Sequence, residues 1–236
     1  KDVTLFGEEG AIIQPDDSTS LLDQGTRRVA IYITADNVIV EGFEIDGTAG
    51  HVHYGIYVYN ADGAIIRKNI VHDIINEIEP PVNDVAGCGI LLFGWGDGIE
   101  LALVEHNTVY NTGRHGIFIG AMLSEYPWDW ILSEQSVIVR NTVYNTWQGP
   151  TNDHGGAIQI NAGYQCSIVD NLVHHTMPAW LYAGIYMYGT AAATSTNIYY
   201  NHVHHNYIGI YYCGGMSPVV EENKVHHNIY RDYFHH

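Results

Sequence analysis

The sequence has few basic residues. Nine lysines and arginines stand against 26 aspartates and glutamates, which gives a formal net charge of −17. Nucleic-acid binding depends on a basic surface that displaces counterions from phosphates, so no nucleic-acid partner is predicted. A polyanionic glycan would also be repelled unless a cation bridged it. No apolar run approaches the roughly 18 residues that a membrane helix needs, so no membrane span is predicted either.

Cysteine is scarce too. Cys88, Cys166 and Cys213 lie far apart, form no CxxC pair and, being odd in number, leave at least one thiol unpaired. Buried thiols pack as small apolar groups, and we predict that role for all three. No signal peptide is recognisable, so export would require that the signal had already been removed or left out.

What the chain does contain is a repeated phrase. Its copies are "IIRKNIVHDI" (65–74), "ALVEHNTVYNT" (102–112), "VIVRNTVYNT" (137–146), "SIVDNLVHHT" (167–176), "NIYYNHVHHN" (197–206) and "VVEENKVHHN" (219–228), with a variant "NVIVEGFEIDG" (37–47). A second phrase alternates with it: "GIYVYN" (55–60), "GILLFG" (89–94), "GIFIGA" (116–121), "GAIQIN" (156–161), "GIYMYG" (184–189) and "GIYYCG" (209–214). Both alternate apolar and polar residues and are rich in Val, Ile and Tyr, which predicts short β-strands.

The repeat has no fixed length. The recurring asparagines are separated by 22 to 38 residues and are Asn69, Asn107, Asn141, Asn171, Asn201 and Asn223. A constant strand phrase with variable spacing predicts coils whose turns can lengthen, stacked at about 4.8 Å. Equivalent residues then form columns along the axis, and we expect the asparagines to form an amide ladder.

The phrase "V-x-x-N-x-V" followed by "G-I-x-L/I/V" resembles the right-handed parallel β-helix repeat of the pectin-lyase-like superfamily, over roughly residues 30–228. The resemblance implies an all-β fold: a single-stranded right-handed parallel β-helix of about eight coils, with loop insertions on one corner. We expect one domain over residues 1–234 and set His235 and His236 aside as a tag remnant. The superfamily includes polysaccharide lyases, glycoside hydrolases, epimerases, tailspikes and adhesins, which implies a secreted, extracellular or cell-surface protein acting on a polysaccharide or other glycan.

Histidines concentrate in two of the predicted columns. One contains His72, Tyr110, Tyr144, His174, His204 and His226, and the other contains Asp73, Asn111, Asn145, His175, His205 and His227. We interpret them as an outward aromatic ladder and a polar turn ladder, since flat rings stack well at strand spacing. The alternative is a line of transition-metal ions along the last three His-His pairs. Because no carboxylate or cysteine accompanies those pairs, the sequence indicates no metal site and no cofactor, although it is compatible with a metal ion.

Three insertions between the two phrases, 72–88, 144–155 and 174–183, should gather at one corner of the coils. A fourth, 121–136, should lie on a different edge. Between them the corner over 107–116 is short and carries Arg114 and His115. Loops of a rigid scaffold are where function concentrates, so we predict a groove at this corner. The insertions would supply its other side chains, which are Glu77, Asp84, Trp147, Asp153, His154, Trp180 and Tyr182.

Carboxylates, cationic groups and aromatic rings in one groove favour glycan chemistry. Asp153 is the predicted general acid or base, with Asp84 or Glu77 as its partner. Arg114, His115 and His154 would orient the substrate, and aromatic rings would take the apolar faces of sugars; these rings are Trp147, Trp180 and Tyr182. Alternatively, His or Arg removes a proton beside a uronate carboxyl, or the cluster is ordinary polar loop content.

Two considerations separate the remaining readings. The polygalacturonase-type set "NTD…DD…GHG…RIK" and the Arg/Lys-rich groove of pectate lyases are missing, which favours hydrolysis of a neutral or weakly charged glycan. The chain starts in a strand-like segment, "DVTLFGEEGAII", without the capping helix typical of the superfamily's enzymes. That favours a non-catalytic glycan-binding or adhesive module, an excerpt of a longer protein, or a structural subunit that self-associates end to end.

Overall fold

The structure is a computed structural model that describes residues 3–16, 21–23, 27–49, 52–74, 87–122, 130–147, 155–176, 182–189, 195–215 and 217–235. In these ranges the chain forms strands numbered β1 to β28 in chain order and one short 3-10 helix, Gly47–Ala49. No helix within them is long and apolar enough to cross a membrane.

Most strands belong to three parallel sheets. Sheet A consists of β1 (Val3–Phe6), β5 (Val38–Glu41), β8 (Ile65–Arg67), β11 (Leu103–Glu105), β16 (Val137–Val139), β20 (Ser167–Val169), β23 (Asn197–Tyr199) and β26 (Val219–Glu221). Sheet B consists of β2 (Ile12–Ile13), β6 (Glu44–Asp46), β9 (Ile70–Ile74), β12 (Thr108–Thr112), β17 (Thr142–Thr146), β21 (Leu172–His174), β24 (His202–His204) and β27 (Lys224–His226).

Sheet C has the longer strands. Its parallel members are β4 (Arg27–Ile33), β7 (Tyr54–Tyr59), β10 (Cys88–Trp95), β13 (Ile117–Met122), β18 (Gly155–Asn161), β22 (Tyr182–Tyr188), β25 (Ile208–Cys213) and β28 (Arg231–His235). Two antiparallel strands extend it, and a separate two-stranded sheet completes the set; these are β3 (Leu21–Asp23), β14 (Trp130–Ile131), β15 (Ser133–Glu134) and β19 (Gly163–Tyr164).

The chain passes through sheets A, B and C in turn, and each strand pairs with its equivalent one coil away. The result is a right-handed parallel β-helix of eight coils, which confirms the predicted fold. The alternation predicted for the second phrase is also confirmed. In β7, Ile56 and Val58 point into the apolar core, whereas Tyr57 packs in a separate cluster on the outer face of sheet C.

The asparagine column is fully hydrogen-bonded. Each Nδ2 donates to the Oδ1 of the next asparagine at 2.9–3.1 Å, and each backbone N–H donates to the same Oδ1, from Asn69 through Asn107, Asn141, Asn171 and Asn201 to Asn223. Each Nδ2 also donates to a sheet A carbonyl of the previous coil, as Asn141 does to Val104 at 2.9 Å. At the corner between sheets A and B, some backbone N–H and C=O groups cannot pair with a neighbouring strand. The asparagine side chains provide the hydrogen bonds that these groups need.

That corner is sharp because the residue before each asparagine has a left-handed backbone. The φ angles are 53–56° at Lys68, His106, Arg140, Asp170, Tyr200 and Glu222. A non-glycine residue in this region costs roughly 1–2 kcal/mol. The amide hydrogen bonds of the asparagine column offset that cost at every coil.

The corner between sheets B and C explains the glycine that opens the second phrase. A Cβ on Gly116 would lie 2.3 Å from a methyl carbon of Val143, a core residue of sheet B. The same close approach occurs at Gly55, Gly89, Gly184 and Gly209, each against the sheet B valine of the next coil. Glycine is therefore required by space at this corner and not by backbone conformation.

The remaining sequence expectations concern cysteine and charge. None of the three cysteines forms a disulfide and all are buried, which confirms their predicted packing role. Burial raises the pKa of the Cys166 thiol to about 11. On the outside of sheet A, Arg67 lies 2.7 Å from Glu41 and 3.9 Å from Glu105, so charges of opposite sign alternate over three coils.

We predict that Asn141→Ala destabilises the protein by about 2 to 4 kcal/mol, because it removes the side-chain donor to the buried Val104 carbonyl and the acceptor for the backbone N–H and Nδ2 of Asn107. Urea unfolding followed by circular dichroism measures the change. Asn223→Ala is the control, since Asn223 is partly exposed at one end of the column. Equal losses in the two variants would show that the column contributes no more in the middle than at its end.

Candidate functional site

The candidate site is the corner where the chain passes from sheet B to sheet C. Four successive connections depart from this corner, linking β9 to β10, β12 to β13, β17 to β18 and β21 to β22, and the strands that they join are neighbours in both sheets. The β12–β13 connection is only residues 113–116, whereas the others contain the three predicted insertions. The fourth insertion links sheet C to sheet A, on a different edge, as expected.

Four of the predicted site residues meet beneath this corner. The Tyr182 hydroxyl lies 2.9 Å from the carbonyl oxygens of both Arg114 and Gly156 and shares its single proton between them. The rings of Trp147 and Tyr182 lie 4.2 Å apart, and the Arg114 guanidinium lies 5.5 Å from the Trp147 ring. The imidazole of His115 is 6.0 Å from the Trp147 ring. All four residues are buried, so they form the base of the corner.

His115 is neutral in the fold. Burial and the neighbouring charge of Arg114 lower its pKa to about 3. Its Nδ1 lies 2.9 Å from the Gly156 carbonyl oxygen, which can only accept, so the proton is on Nδ1 and Nε2 carries the lone pair. Gly155 makes room for this ring, since a Cβ there would lie 2.7 Å from His115 Cε1.

Sequence reasoning missed a polar pair beside this base. The outward row that crosses sheet C is apolar or aromatic except for one amide, Gln159; its members are Tyr32, Tyr57, Leu91, Phe118, Gln159, Tyr186, Tyr211 and Phe234. Gln159 Nε2 donates to Asn161 Oδ1 at 2.9 Å, and Gln159 Oε1 accepts from the Gly156 amide at 3.2 Å. A column-by-column comparison of "GAIQIN" with the other phrases could have found this exception.

Two accessible aromatic rings on the same face were also missed. Trp95 and Tyr188 each expose 38% of their surface, at the ends of β10 and β22. The backbone of Trp95 is held by Asn60, whose Oδ1 accepts from the Trp95 amide at 2.5 Å and whose Nδ2 donates to its carbonyl at 3.2 Å. Tyr188 pairs in register with Asn161. Their exposure depends on where each strand ends, which the repeat does not indicate.

The other predicted site residues, Glu77, Asp84, Asp153, His154 and Trp180, lie outside the described residues. Their assignment as catalytic or substrate-binding groups therefore stays a prediction. The described residues do show where the strands on either side of these insertions lie.

The histidine columns lie at the C-terminal ends of the sheet B strands, just before the chain turns toward sheet C. The rings of the first column stack at 4.9–5.5 Å with interplanar angles of 4–8°, in the order His72, Tyr110, Tyr144, His174, His204 and His226. In the second column, His175, His205 and His227 stack at 5.2 and 5.5 Å. These contacts form the aromatic ladder that the sequence predicts.

The two ends of the ladder differ electrostatically. Burial alone would lower the pKa of His72, but hydrogen bonds to Asp73 and Glu44 raise it, so the imidazolium is favoured there. Ligand atoms of Asp46, His72 and Asp73 lie within 4.8 Å of one another, the spacing of a metal site. Gln14 and Thr48 already donate to Asp46, and Asn111 donates to Asp73, so the carboxylates are satisfied without an ion.

At the other end the neutral form is favoured. Burial, together with the neighbouring imidazoles, lowers the pKa of His174 and of His226, and it lowers that of His204 to about 4.

We compared the chain with known protein families, curated proteins and solved structures. No protein-family model and no curated protein matches the chain. Among solved structures, the chain is similar to XylC in complex with xylose (17% identity, TM-score 0.59), covering 84% of this chain and 34% of XylC. It is also similar to a double mutant of the periplasmic alginate epimerase AlgG (12% identity, TM-score 0.51), covering 98% of this chain and 57% of AlgG. These similarities confirm the parallel β-helix fold, and the chain spans only part of either protein.

We predict that His115 makes the protein sensitive to acid. Because its pKa is lower in the folded state than the 6.5 of an unperturbed histidine, the unfolded chain binds more protons. The free energy of unfolding is therefore highest above the unfolded pKa and decreases as pH falls from about 6.5 toward 3. At pH 5 the loss relative to neutral pH is roughly 2 kcal/mol.

Unfolding free energies of wild type and His115→Gln, measured between about pH 7.5 and pH 5, test this expectation. The variant should lose less stability on acidification than the wild type. Exposed His106→Gln is the matched control and should follow the wild type. Parallel pH profiles for wild type and His115→Gln would contradict the assignment.

Proposed function

We propose that the protein binds a neutral or weakly charged glycan along the outer face of sheet C and cleaves it at the corner between sheets B and C. The observation that carries this proposal is the pair of exposed rings, Trp95 and Tyr188, on either side of the buried amides of Gln159 and Asn161. The two exposed rings supply the apolar platforms that a sugar ring requires. The amides of Gln159 and Asn161 are buried, so they support this face from beneath.

The dimensions of the face suit an oligosaccharide. Strands β13 and β18 lie between β10 and β22, so the exposed rings are three strand steps apart, roughly 14 Å along the axis. A glycan lying parallel to the axis would contact Trp95 and Tyr188 near its two ends and pass over Asn161 between them. A branch of the glycan that extends back along the sheet C strands would reach the short corner at their other ends. The net charge of −17 favours a glycan with little negative charge of its own.

Cleavage is assigned to the insertions at this corner. Asp153 follows β17 and is proposed as general acid or base, and Asp84 or Glu77, which follow β9, as its partner. His154 and Trp180 would contact the substrate from the neighbouring connections. Arg114, His115, Trp147 and Tyr182 are buried, so we assign them the support of these loops from below.

The similar solved structures agree with a glycan substrate. One of them holds xylose and the other is an alginate epimerase. A secreted or cell-surface location follows from the same proposal, because polysaccharides of this kind are met outside the cytoplasm. The second candidate function is glycan binding without cleavage. It is favoured because His115 is buried and neutral, so this predicted site residue does not contact the substrate directly.

We expect Trp95→Ala and Tyr188→Ala each to weaken glycan binding roughly tenfold, the equivalent of about 1.4 kcal/mol of lost stacking. A panel of neutral and acidic oligosaccharides, screened with the wild type, identifies the ligand for this comparison. Tyr200→Ala is the matched control, because Tyr200 exposes 62% of its surface at the corner between sheets A and B, away from sheet C. Unchanged affinity in both face variants would remove the proposed binding surface.

Asp153→Asn should abolish release of new reducing ends while leaving binding and the unfolding transition unchanged. Absorbance of an unsaturated product distinguishes a lyase from a hydrolase in the same assay. If the wild type binds a glycan but yields neither product, the non-catalytic alternative is the correct one. Full turnover by the variant would exclude Asp153.

End-to-end self-association also stays a prediction. Apolar side chains are exposed on the first and last described coils, among them Phe6 and Ile229, at 64% and 67%. Sedimentation over a range of protein concentrations tests whether copies stack.

A further inference from the structure

Three consecutive coils each present two imidazoles that face one another. The Nδ1 atoms lie 2.7 Å apart in His174 and His175, and in His204 and His205. They lie 2.5 Å apart in His226 and His227. Within each pair the ring planes are nearly perpendicular, at 83–87°. The three pairs are therefore copies of one local arrangement, repeated at the strand spacing of the β-helix.

The backbone produces this arrangement. Adjacent residues of a strand point to opposite faces, so two neighbouring histidines would normally diverge. The second histidine of each pair has a left-handed backbone, with φ of 56° at His175 and 55° at His205 and His227. That bend turns its ring back toward the ring of the preceding histidine. Because parallel pairing fixes the first histidines in register, the Nδ1 pairs are aligned along the axis.

We infer that these histidine pairs form a row of chelating sites for divalent first-row transition ions, with copper(II) bound most tightly. Each pair offers two imidazole nitrogens, and water completes the coordination. Imidazole ligands without carboxylates select copper, nickel and zinc over calcium and magnesium, and the Irving–Williams order places copper(II) first. The second histidine of every pair is exposed and the first is half-buried, so ions have access from solvent.

The geometry needs little adjustment. Copper(II) takes square-planar or tetragonal coordination, in which two adjacent nitrogens lie about 2.8 Å apart. The Nδ1 atoms of the first two pairs are already 2.7 Å apart, so they must separate by only about 0.1 Å. Without an ion, a neutral pair shares one Nδ1–H proton in a hydrogen bond. When an ion binds, that imidazole moves its proton to Nε2 through solvent, so both Nδ1 lone pairs face the ion and no net proton is released.

The third pair differs from the other two. His226 also contacts His202, with their Nε2 atoms 2.9 Å apart. Its tautomer is therefore constrained on both sides of the ring, and binding an ion at Nδ1 must reorganise the contact with His202 as well. We expect this pair to bind copper(II) more weakly than the pairs formed by His174 and His204.

The chain contains its own control for these sites. At the equivalent positions of two upstream coils it has Tyr110 with Asn111 and Tyr144 with Asn145, which stack in the same columns but offer no imidazole nitrogen. Replacing a His-His pair by Tyr-Asn therefore preserves the ladder and the left-handed position, since asparagine tolerates φ above zero. Such a variant removes the ligands with the least disturbance of the fold.

The test uses isothermal titration of the whole chain with copper(II) chloride, in parallel with H174Y/H175N, H204Y/H205N, and a variant in which all three pairs are changed to Tyr-Asn. His235 and His236 are retained in every protein, so their contribution cancels. Each double variant should lose one bound ion. The single variant H175N, which leaves one imidazole, should bind at that coil roughly 100-fold more weakly because the second ligand is no longer held nearby.

Electron paramagnetic resonance, recorded with less than one copper(II) ion per chain so that ions on adjacent coils do not broaden the signal, provides a second readout. Two coordinated imidazole nitrogens per ion produce a characteristic nitrogen hyperfine pattern. We expect that pattern in the wild type and its loss in the variant with all three pairs changed. Circular dichroism melting of the variants confirms that they fold. Folded variants that bind the same number of copper(II) ions with the same affinity as the wild type would overturn the inference, as would a wild type that binds none.

Discussion

The distance between hydrogen-bonded parallel strands is the constraint on which the structure depends. Once strands of successive coils pair in register, every residue lies beside its equivalent one coil away, and each column must be compatible with itself. Asparagine meets this requirement because its side chain both donates and accepts, so Asn141 can bond to Asn107 and Asn171 at the same time. Stacked rings meet it through flat surfaces, as in Tyr110 and Tyr144.

The same constraint locates the candidate site. Coils that must keep identical corners between sheets A and B are free to differ where sheet B passes to sheet C, and the insertions occur there. The short connection with Arg114 and His115 is held by Tyr182, which comes from a coil further along the axis. Buried rings and hydrogen-bonded carbonyls thus form a rigid base, and the variable loops depart from strands whose positions are fixed by the core.

Much of this arrangement could be predicted from the sequence. The recurring asparagine and the alternation around it were sufficient for the fold, for the columns and for the corner from which the insertions depart. The burial and neutral state of His115 could not be predicted, because they depend on Tyr182, 68 residues from Arg114. The exposure of Trp95 and Tyr188 depends on strand ends, and the convergence of His174 with His175 depends on a left-handed φ that a strand pattern does not reveal.

Similar coils raise the question of how each strand finds its correct neighbour during folding. The charges on sheet A provide one answer at Arg67, which contacts Glu41 on one side and Glu105 on the other. If β5 paired directly with β11 and left out the coil between them, two glutamates would be brought together without a cation. Like-charge repulsion disfavours such a misassembled intermediate. The alternation of acidic and basic residues along sheet A therefore favours pairing of consecutive coils over pairing that skips a coil.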